Sequence, residues 1–190
     1  TPTTTTNYSV TATNAAGCGI SSAPVTVAVV PLSCSGITVT GATCNNTNFT
    51  LTANVTGGTG LSYAWSNGTS TVYPNAQTIT ANLAAGTYNF SLTVTDPCGA
   101  SCTSTLPVTV NALPVVTISP TSAAVICGAG NSVVLTASGA NLYGWSPAAT
   151  LSSSTGTTVT ANPTATTTYT VTGQDVNGCT NTATKQVIVG

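Results

Sequence analysis

Ten side chains carry most of the chemistry open to this sequence: seven cysteines, two aspartates and one lysine. The cysteines are Cys18, Cys34, Cys44, Cys98, Cys102, Cys127 and Cys179; the charges are Asp96, Asp175 and Lys185. Structural zinc sites pair cysteines at close spacing, and do so twice. Only Cys98 and Cys102 are close, and no second pair matches them. Cys98-Gly-Ala-Ser-Cys102 is also one residue too long for a dithiol redox motif. Disulfides formed in an oxidising compartment are the better reading. The count is odd, so at least one cysteine pairs outside the chain or stays free, and Cys18 is expected to be that one.

Catalysis fails on inventory. General acid–base work needs a histidine, a carboxylate pair or a tuned lysine, and a hydroxyl nucleophile needs a base beside it. The chain has no His and no Glu, and its two Asp residues are dispersed. Each Asp follows a strand beside a turn. A calcium site wants six to eight oxygens, several of them carboxylate, so turn capping is the expected role. Lys185 could form an isopeptide crosslink assisted by Asp175, but a lone surface lysine on the last strand is the plainer expectation. No enzyme, metal or cofactor is implied.

The elements around these residues are almost uncharged. Charged residues make up 2% of the chain, against about 25% in a typical soluble domain. About a third of the residues are Ser or Thr. Nucleic-acid binding needs a basic stripe, which one lysine cannot supply, and anionic membrane surfaces need the same charge. Mean hydropathy is +0.34, yet no apolar run approaches the ~18 residues of a spanning helix. The longest, Val25 to Leu32, is broken by Thr26 and Pro31. No signal-peptide pattern opens the chain, so a mature or internal segment is expected.

Self-similarity sets the organisation. Tyr63-Ala-Trp65-Ser66 returns as Tyr143-Gly-Trp145-Ser146. Pro2, Tyr8, Val10, Gly17 and Cys18 return as Pro163, Tyr169, Val171, Gly178 and Cys179, two periods later. Tyr88 lies between Tyr8 and Tyr169, and Leu51-Thr-Ala matches Leu135-Thr-Ala. The period is about 80 residues. Residues 1–30 then form the C-terminal half of one repeat, 31–112 a complete repeat, and 113–190 another. A half repeat cannot close a core alone. Its missing strands are expected upstream or from a neighbouring chain.

Alternation of apolar and hydroxyl residues runs through Phe49–Ala53, Tyr88–Val94, Tyr169–Val171 and Val25–Val27. Thr and Val suit a pleated, half-buried surface. Gly57-Gly58, Asn67-Gly68, Ala85-Gly86, Asp96-Pro97 and Asn177-Gly178 punctuate the runs. No helical period of useful length appears. The expected fold class is all-β, as tandem Greek-key immunoglobulin-like β-sandwiches.

Trp65 and Trp145 stand where an immunoglobulin-type sandwich keeps its strand-C tryptophan, and Tyr88 and Tyr169 where its tyrosine corner begins strand F. The middle repeat, with Tyr63-Ala-Trp65 and Gly86-Thr-Tyr88-Asn-Phe90-Ser-Leu92-Thr-Val94-Thr-Asp96, resembles polycystic-kidney-disease-type (PKD) domains. It departs from them in Ser66-Asn-Gly68, where an acidic, Gly-rich turn is usual. Pro163-Thr-Ala-Thr-Thr-Thr-Tyr169-Thr-Val171 and Asn177-Gly178-Cys179 resemble tandem repeats in giant surface proteins of gliding bacteria of the Bacteroidota type. That resemblance covers nearly the whole chain. It implies motility adhesins, filament components or stalks of secreted enzymes.

Trp65, Trp145, Tyr8, Tyr88 and Tyr169 could make a sugar-binding platform. Their recurrence at fixed repeat positions points to core packing instead. Tyr73 lies outside the recurring set and is the better candidate for exposure. Asn-x-Ser/Thr triplets at Asn7, Asn45, Asn48, Asn54, Asn67 and Asn89 are what this composition gives by chance.

Two disulfide schemes stand open. Pairing within repeats joins Cys127 with Cys179, Cys44 with Cys98 and Cys34 with Cys102. Against it, A–B and F–G turns lie at opposite ends of a regular sandwich, while a disulfide needs Cα atoms within about 7 Å. Stacked repeats allow Cys44 to join Cys179 across a junction and Cys34 to join Cys98 or Cys102, leaving Cys18 and Cys127 for neighbours outside.

The composition and repeats point to a disulfide-stiffened structural segment of an extracellular filament or rod-like cell-surface adhesin. Its partners would be other copies of itself or flanking repeats of a longer chain. The uncharged run Val25–Val30 also lacks the lysines that block strand-edge pairing. The alternatives are a module that binds surface glycans through loops such as 57–60 or 152–158, and a spacer in a secreted hydrolase.

Overall fold

The computed structural model describes residues 2, 4–128 and 130–190. Among them there is no helix, and seventeen strands follow one another. Residues 1–30 hold β1 (Thr6–Tyr8), β2 (Thr11–Thr13), β3 (Gly19–Ser21) and β4 (Val25–Val27). The middle repeat holds β5 (Ser33–Thr40), β6 (Asn48–Thr56), β7 (Ser62–Ser66), β8 (Thr78–Asn82), β9 (Gly86–Thr95) and β10 (Ser101–Val110). The last repeat holds β11 (Thr117–Ser119), β12 (Ala124–Ile126), β13 (Val133–Ser138), β14 (Leu142–Ser146), β15 (Thr158–Ala161), β16 (Thr167–Gln174) and β17 (Thr180–Val189).

Contacts divide the chain into two compact units. The first comprises residues 1–38, 51–79 and 89–106; the second comprises 39–50, 80–88 and 107–190. The boundary runs through β5, β6, β8, β9 and β10.

The last repeat lies wholly in the second unit and shows the sandwich in full. One sheet has the order β11-β13-β15, the other β12-β17-β16-β14. Alternation decides which side chains face inward: Leu135 and Ala137 on β13, Tyr169 and Val171 on β16, and Tyr143 and Trp145 on β14 are buried together in one cluster. That cluster draws on both sheets, which defines two layers around one core. The first strand is split. β11 pairs antiparallel with β13, whereas β12 crosses over and pairs parallel with β17, Ala124 opposite Val187. Neighbours that are not consecutive in sequence make this a Greek key.

The middle repeat has the same order without a counterpart strand to β12, with sheets β5-β6-β8 and β10-β9-β7. The first unit buries Leu51, Ala53, Trp65, Ile79, Phe90, Leu92 and Val94; the second buries Phe49, Ala81, Val108 and Val110. Hydroxyl groups of the alternate residues bond across strands, as between Thr52 and Thr78 at 3.1 Å.

Glycine is required just after the second strand of each complete repeat. A Cβ at Gly139 (φ +92°) would fall on the Val115 carbonyl oxygen, and one at Gly57 (φ +76°) on that of Pro31. Both glycines let the incoming chain pass over the sandwich edge.

Residues 1–30 form two antiparallel ribbons, β1 with β4 and β2 with β3. They correspond to the last two strands of a repeat. Here the expectation that Tyr8 anchors a core is corrected: Tyr8 is 51% exposed, with Val10 at 72% and Ile20 at 76%. Among the described residues these ribbons have no second layer, so side chains at the inward positions of a sandwich are uncovered within this chain. The run Val25–Val30 is a strand only as far as Val27.

Candidate functional site

Seven of the ten residues singled out for chemistry gather at two kinds of place, hairpin turns (Cys18, Asp96, Cys98, Asp175 and Cys179) and the segment before the second strand (Cys44 and Cys127), while Cys34, Cys102 and Lys185 lie on strands. Three turns are built alike. In each, an Asn or Asp side chain accepts from two backbone N–H groups, two and four residues on. Asn14 Oδ1 accepts from Ala16 and Cys18, each at 3.0 Å. Asp96 Oδ1 accepts from Cys98 and Ala100, and Asp175 Oδ1 from Asn177 and Cys179, all at 2.9 Å. The first residue's carbonyl accepts from Gly17, Gly99 and Gly178, whose φ angles lie between +81° and +87°. This is a type I turn closed by a left-handed glycine bulge. The Asp carboxylates are thus committed to capping turns, as expected. Among the described residues, no group of three or more Cys, Asp or other ligating side chains is gathered.

The fifth turn position is Cys18, Ala100 or Cys179. Cys179 is fully buried and bonded to Cys44, 2% exposed, with Cα atoms 5.6 Å apart. Both belong to the second unit, and the bond ties the middle repeat to the last. Cys44 is fixed by the backbone around it. The Asn111 N–H donates to the Thr43 carbonyl at 2.8 Å, and the Asn45 N–H donates to the Asn111 carbonyl at 2.8 Å. The second bond joins Cys34 on β5 to Cys102 on β10, Cα atoms again 5.6 Å apart. Of the two schemes, these are the pairs that stacked repeats allow; Cys44–Cys98 and Cys127–Cys179 are not formed. Cys18, Cys98 and Cys127 are free and exposed. Cys98 and Cys127 are therefore corrected as disulfide members within this chain. Cys98 sits at the third turn position, not the fifth that Cys179 uses, and Cys127 finds Cys179 already bonded to Cys44.

The tryptophans lie inside, and their indoles are matched alike. Trp65 Nε1 donates to the Ala76 carbonyl and Trp145 Nε1 to that of Gly156, each at 2.9 Å. Tyr169 is fully buried, its hydroxyl 2.5 Å from Thr150 Oγ1. Tyr88 is half-buried and donates back to the Ala84 carbonyl at 3.1 Å, the tyrosine-corner arrangement. Tyr73, expected at the surface, is half-buried, with its ring 5.9 Å from that of Phe90. No aromatic platform is built from these rings. Lys185 donates to the Thr121 and Ser122 carbonyls at 3.3 and 2.5 Å, which holds the crossover before β12. A shallow hollow beside Thr150, Ser152, Thr160 and Asn162 is lined about equally by polar and apolar groups. Its groups are already engaged: Ser152 Oγ accepts from the Thr160 N–H at 2.9 Å, and Asn162 N–H donates to the Thr150 carbonyl at 2.8 Å.

No family model matches the chain, and no curated protein matches it. Solved structures of similar shape include the Clostridium thermocellum CbhA fibronectin(III)-like modules, at 13% identity over 80% of this chain and 93% of that one, TM-score 0.43. The titin domains z1z2 in complex with telethonin are 14% identical over 86% of this chain and 98% of that one, TM-score 0.38. Sidekick-1 immunoglobulin domains 1–4 are 13% identical over 98% of this chain and 58% of that one, TM-score 0.35. The chain is all-β with immunoglobulin-like sandwiches, and that assignment rests on the strand order and the two-layer core.

Two features lacked a readable signal in the sequence. The crossover that gives β12 a parallel partner follows a Pro-Thr-Ser stretch that reads only as a loop. The closeness of Gly139 to Val115 is a contact between segments 24 residues apart.

Proposed function

We propose that the chain is a structural segment of an extracellular filament or rod-like cell-surface adhesin, like the large surface proteins of gliding Bacteroidota-type bacteria that it resembles. The observation that carries this reading is the buried Cys44–Cys179 bond, which ties one repeat covalently to the next. A repeat that only displayed a binding loop would gain nothing from such a tie. Disulfides of this kind persist in oxidising surroundings. The near absence of charge leaves little for salt to screen. Its partners on this reading are further repeats of the same kind.

Electron microscopy of native material sheared from the cell surface, with and without reductant, tests it. Ordered filaments with an axial repeat of one or two sandwich lengths support the reading. Single particles with a separate globular head overturn it in favour of the binding-module or hydrolase-spacer readings.

A further inference from the structure

Two of the free cysteines occupy places that elsewhere in the chain are bonded to each other. Cys127 sits in the last repeat where Cys44 sits in the middle one. Around Cys44, the Asn111 N–H donates to Thr43 and its carbonyl accepts from Asn45. Around Cys127, the Gly190 N–H donates to the Ile126 carbonyl at 3.1 Å, and the Gly190 carbonyl accepts from the Gly128 N–H at 3.5 Å. The last strand thus flanks each cysteine in the same way, one residue to either side. Cys18 in turn matches Cys179. Both hold the fifth position of the same turn, and each N–H donates to the capping side chain. Each carbonyl also accepts the N–H of the turn's first residue at 2.9 Å.

Cys44 and Cys179 are bonded and buried, whereas their counterparts Cys127 and Cys18 are free and exposed. The chain therefore displays both halves of this bond unpaired, and the halves are complementary, not identical. We propose that Cys127 of one copy of this chain forms a disulfide with Cys18 of the next, repeating the Cys44–Cys179 bond between copies. The proposal rests on the structural reading above and supplies its partner. Because the two surfaces differ, the contact is head-to-tail. It propagates into an open chain unless its rotation closes a ring.

The step is an oxidation of two thiols by a disulfide donor, either a thiol–disulfide oxidoreductase or a small-molecule disulfide. The Cys127 thiolate attacks the donor, forms a mixed disulfide and releases one donor thiolate. The Cys18 thiolate of the next copy then attacks Sγ of Cys127 and releases the second. Two protein thiols lose two protons and two electrons, and the donor disulfide becomes two thiols.

The test uses the full chain in a glutathione redox buffer, read by non-reducing electrophoresis and by mass spectrometry of peptic peptides. Wild type is expected to give a ladder of covalent oligomers whose bridging peptides join residues 18 and 127. Cys18→Ser and Cys127→Ser should each lower the dimer yield at least tenfold. Mixing these two variants should restore a dimer but no higher oligomer. Cys98→Ser should leave the ladder unchanged. Monomer alone, an 18–127 bond within one chain, or bridges dominated by 18–18, 127–127 or Cys98 would each overturn the proposal. Native filaments without an 18–127 peptide overturn this proposal and spare the structural reading. Crosslinked oligomers in vitro, with only headed particles on the cell, overturn the structural reading and spare the bond.

Discussion

Removing the bond between repeats gives the sharpest measurement. Cys44→Ala with Cys179→Ala deletes a crosslink that spans 135 residues of sequence. With Cys34–Cys102 intact, a shorter covalent route of about 87 residues joins the two sites, and it sets the loop that the bond closes. Chain entropy for a loop of that size is worth about 4.6 kcal/mol, inside the 2–5 kcal/mol range for native disulfides. Alanine suits both sites because both are buried and leaves no polar group there. The assay is urea unfolding in a Trp65→Phe background, so that Trp145 alone reports on the last repeat. At an m value of about 1–3 kcal/mol/M, the midpoint should fall by roughly 1.5–4.6 M. A loss below about 1 kcal/mol would refute the claim that this bond constrains the unfolded chain.

Other outcomes follow from single residues. Leu135→Ala empties a fully buried site and should cost about 2–5 kcal/mol in the same unfolding assay. Asp175→Ala removes the acceptor of two N–H groups and should cost about 1–2 kcal/mol. Asp175→Asn should cost under about 0.5 kcal/mol, since Asn14 fills the same role in the first turn. Gly139→Ala collides with the Val115 carbonyl and should cost more than about 3 kcal/mol. Gly156→Ala, also at positive φ but in open space, should cost only about 1–2 kcal/mol; equal costs would refute the steric account. Raising NaCl from about 0.05 to 1 M should change unfolding free energy by less than about 1 kcal/mol, measured by urea titration.

The features legible in the sequence are those set by local spacing. Alternation in Tyr88–Val94 is a backbone property, and it became β9 with Phe90, Leu92 and Val94 turned inward. The matched Trp65 and Trp145 read as core because a repeat keeps its large rings in one place, and both indoles found carbonyl partners of the same kind. Tyr8 shows the limit. Its type and spacing match Tyr169, but burial needs a facing sheet, and the ribbons of residues 1–30 have none of their own. Tyr73 failed in the other direction: it lies outside the recurring set, yet a neighbouring ring covers it. Cysteine pairing was underdetermined because spacing along the chain does not say which turns meet. The turn chemistry was readable in Asp175 and Gly178. What Cys179 would reach from that turn was not.

The Cys44–Cys179 bond also decides how the chain would carry tension. A pull on its two ends travels by the shortest covalent path. That path enters along residues 1–44, crosses the sulfur bridge to 179 and leaves through 190. Residues 45–178, which hold most of both complete repeats, hang beside the load without bearing it. At about 3.4 Å per extended residue, the tether pays out roughly 190 Å, where an unbridged chain would reach about 650 Å. Reaching that length strips the ribbons of residues 1–30 and also draws β5 and β17 out of their sheets, after which the bridge gives a tether that yields and then stops.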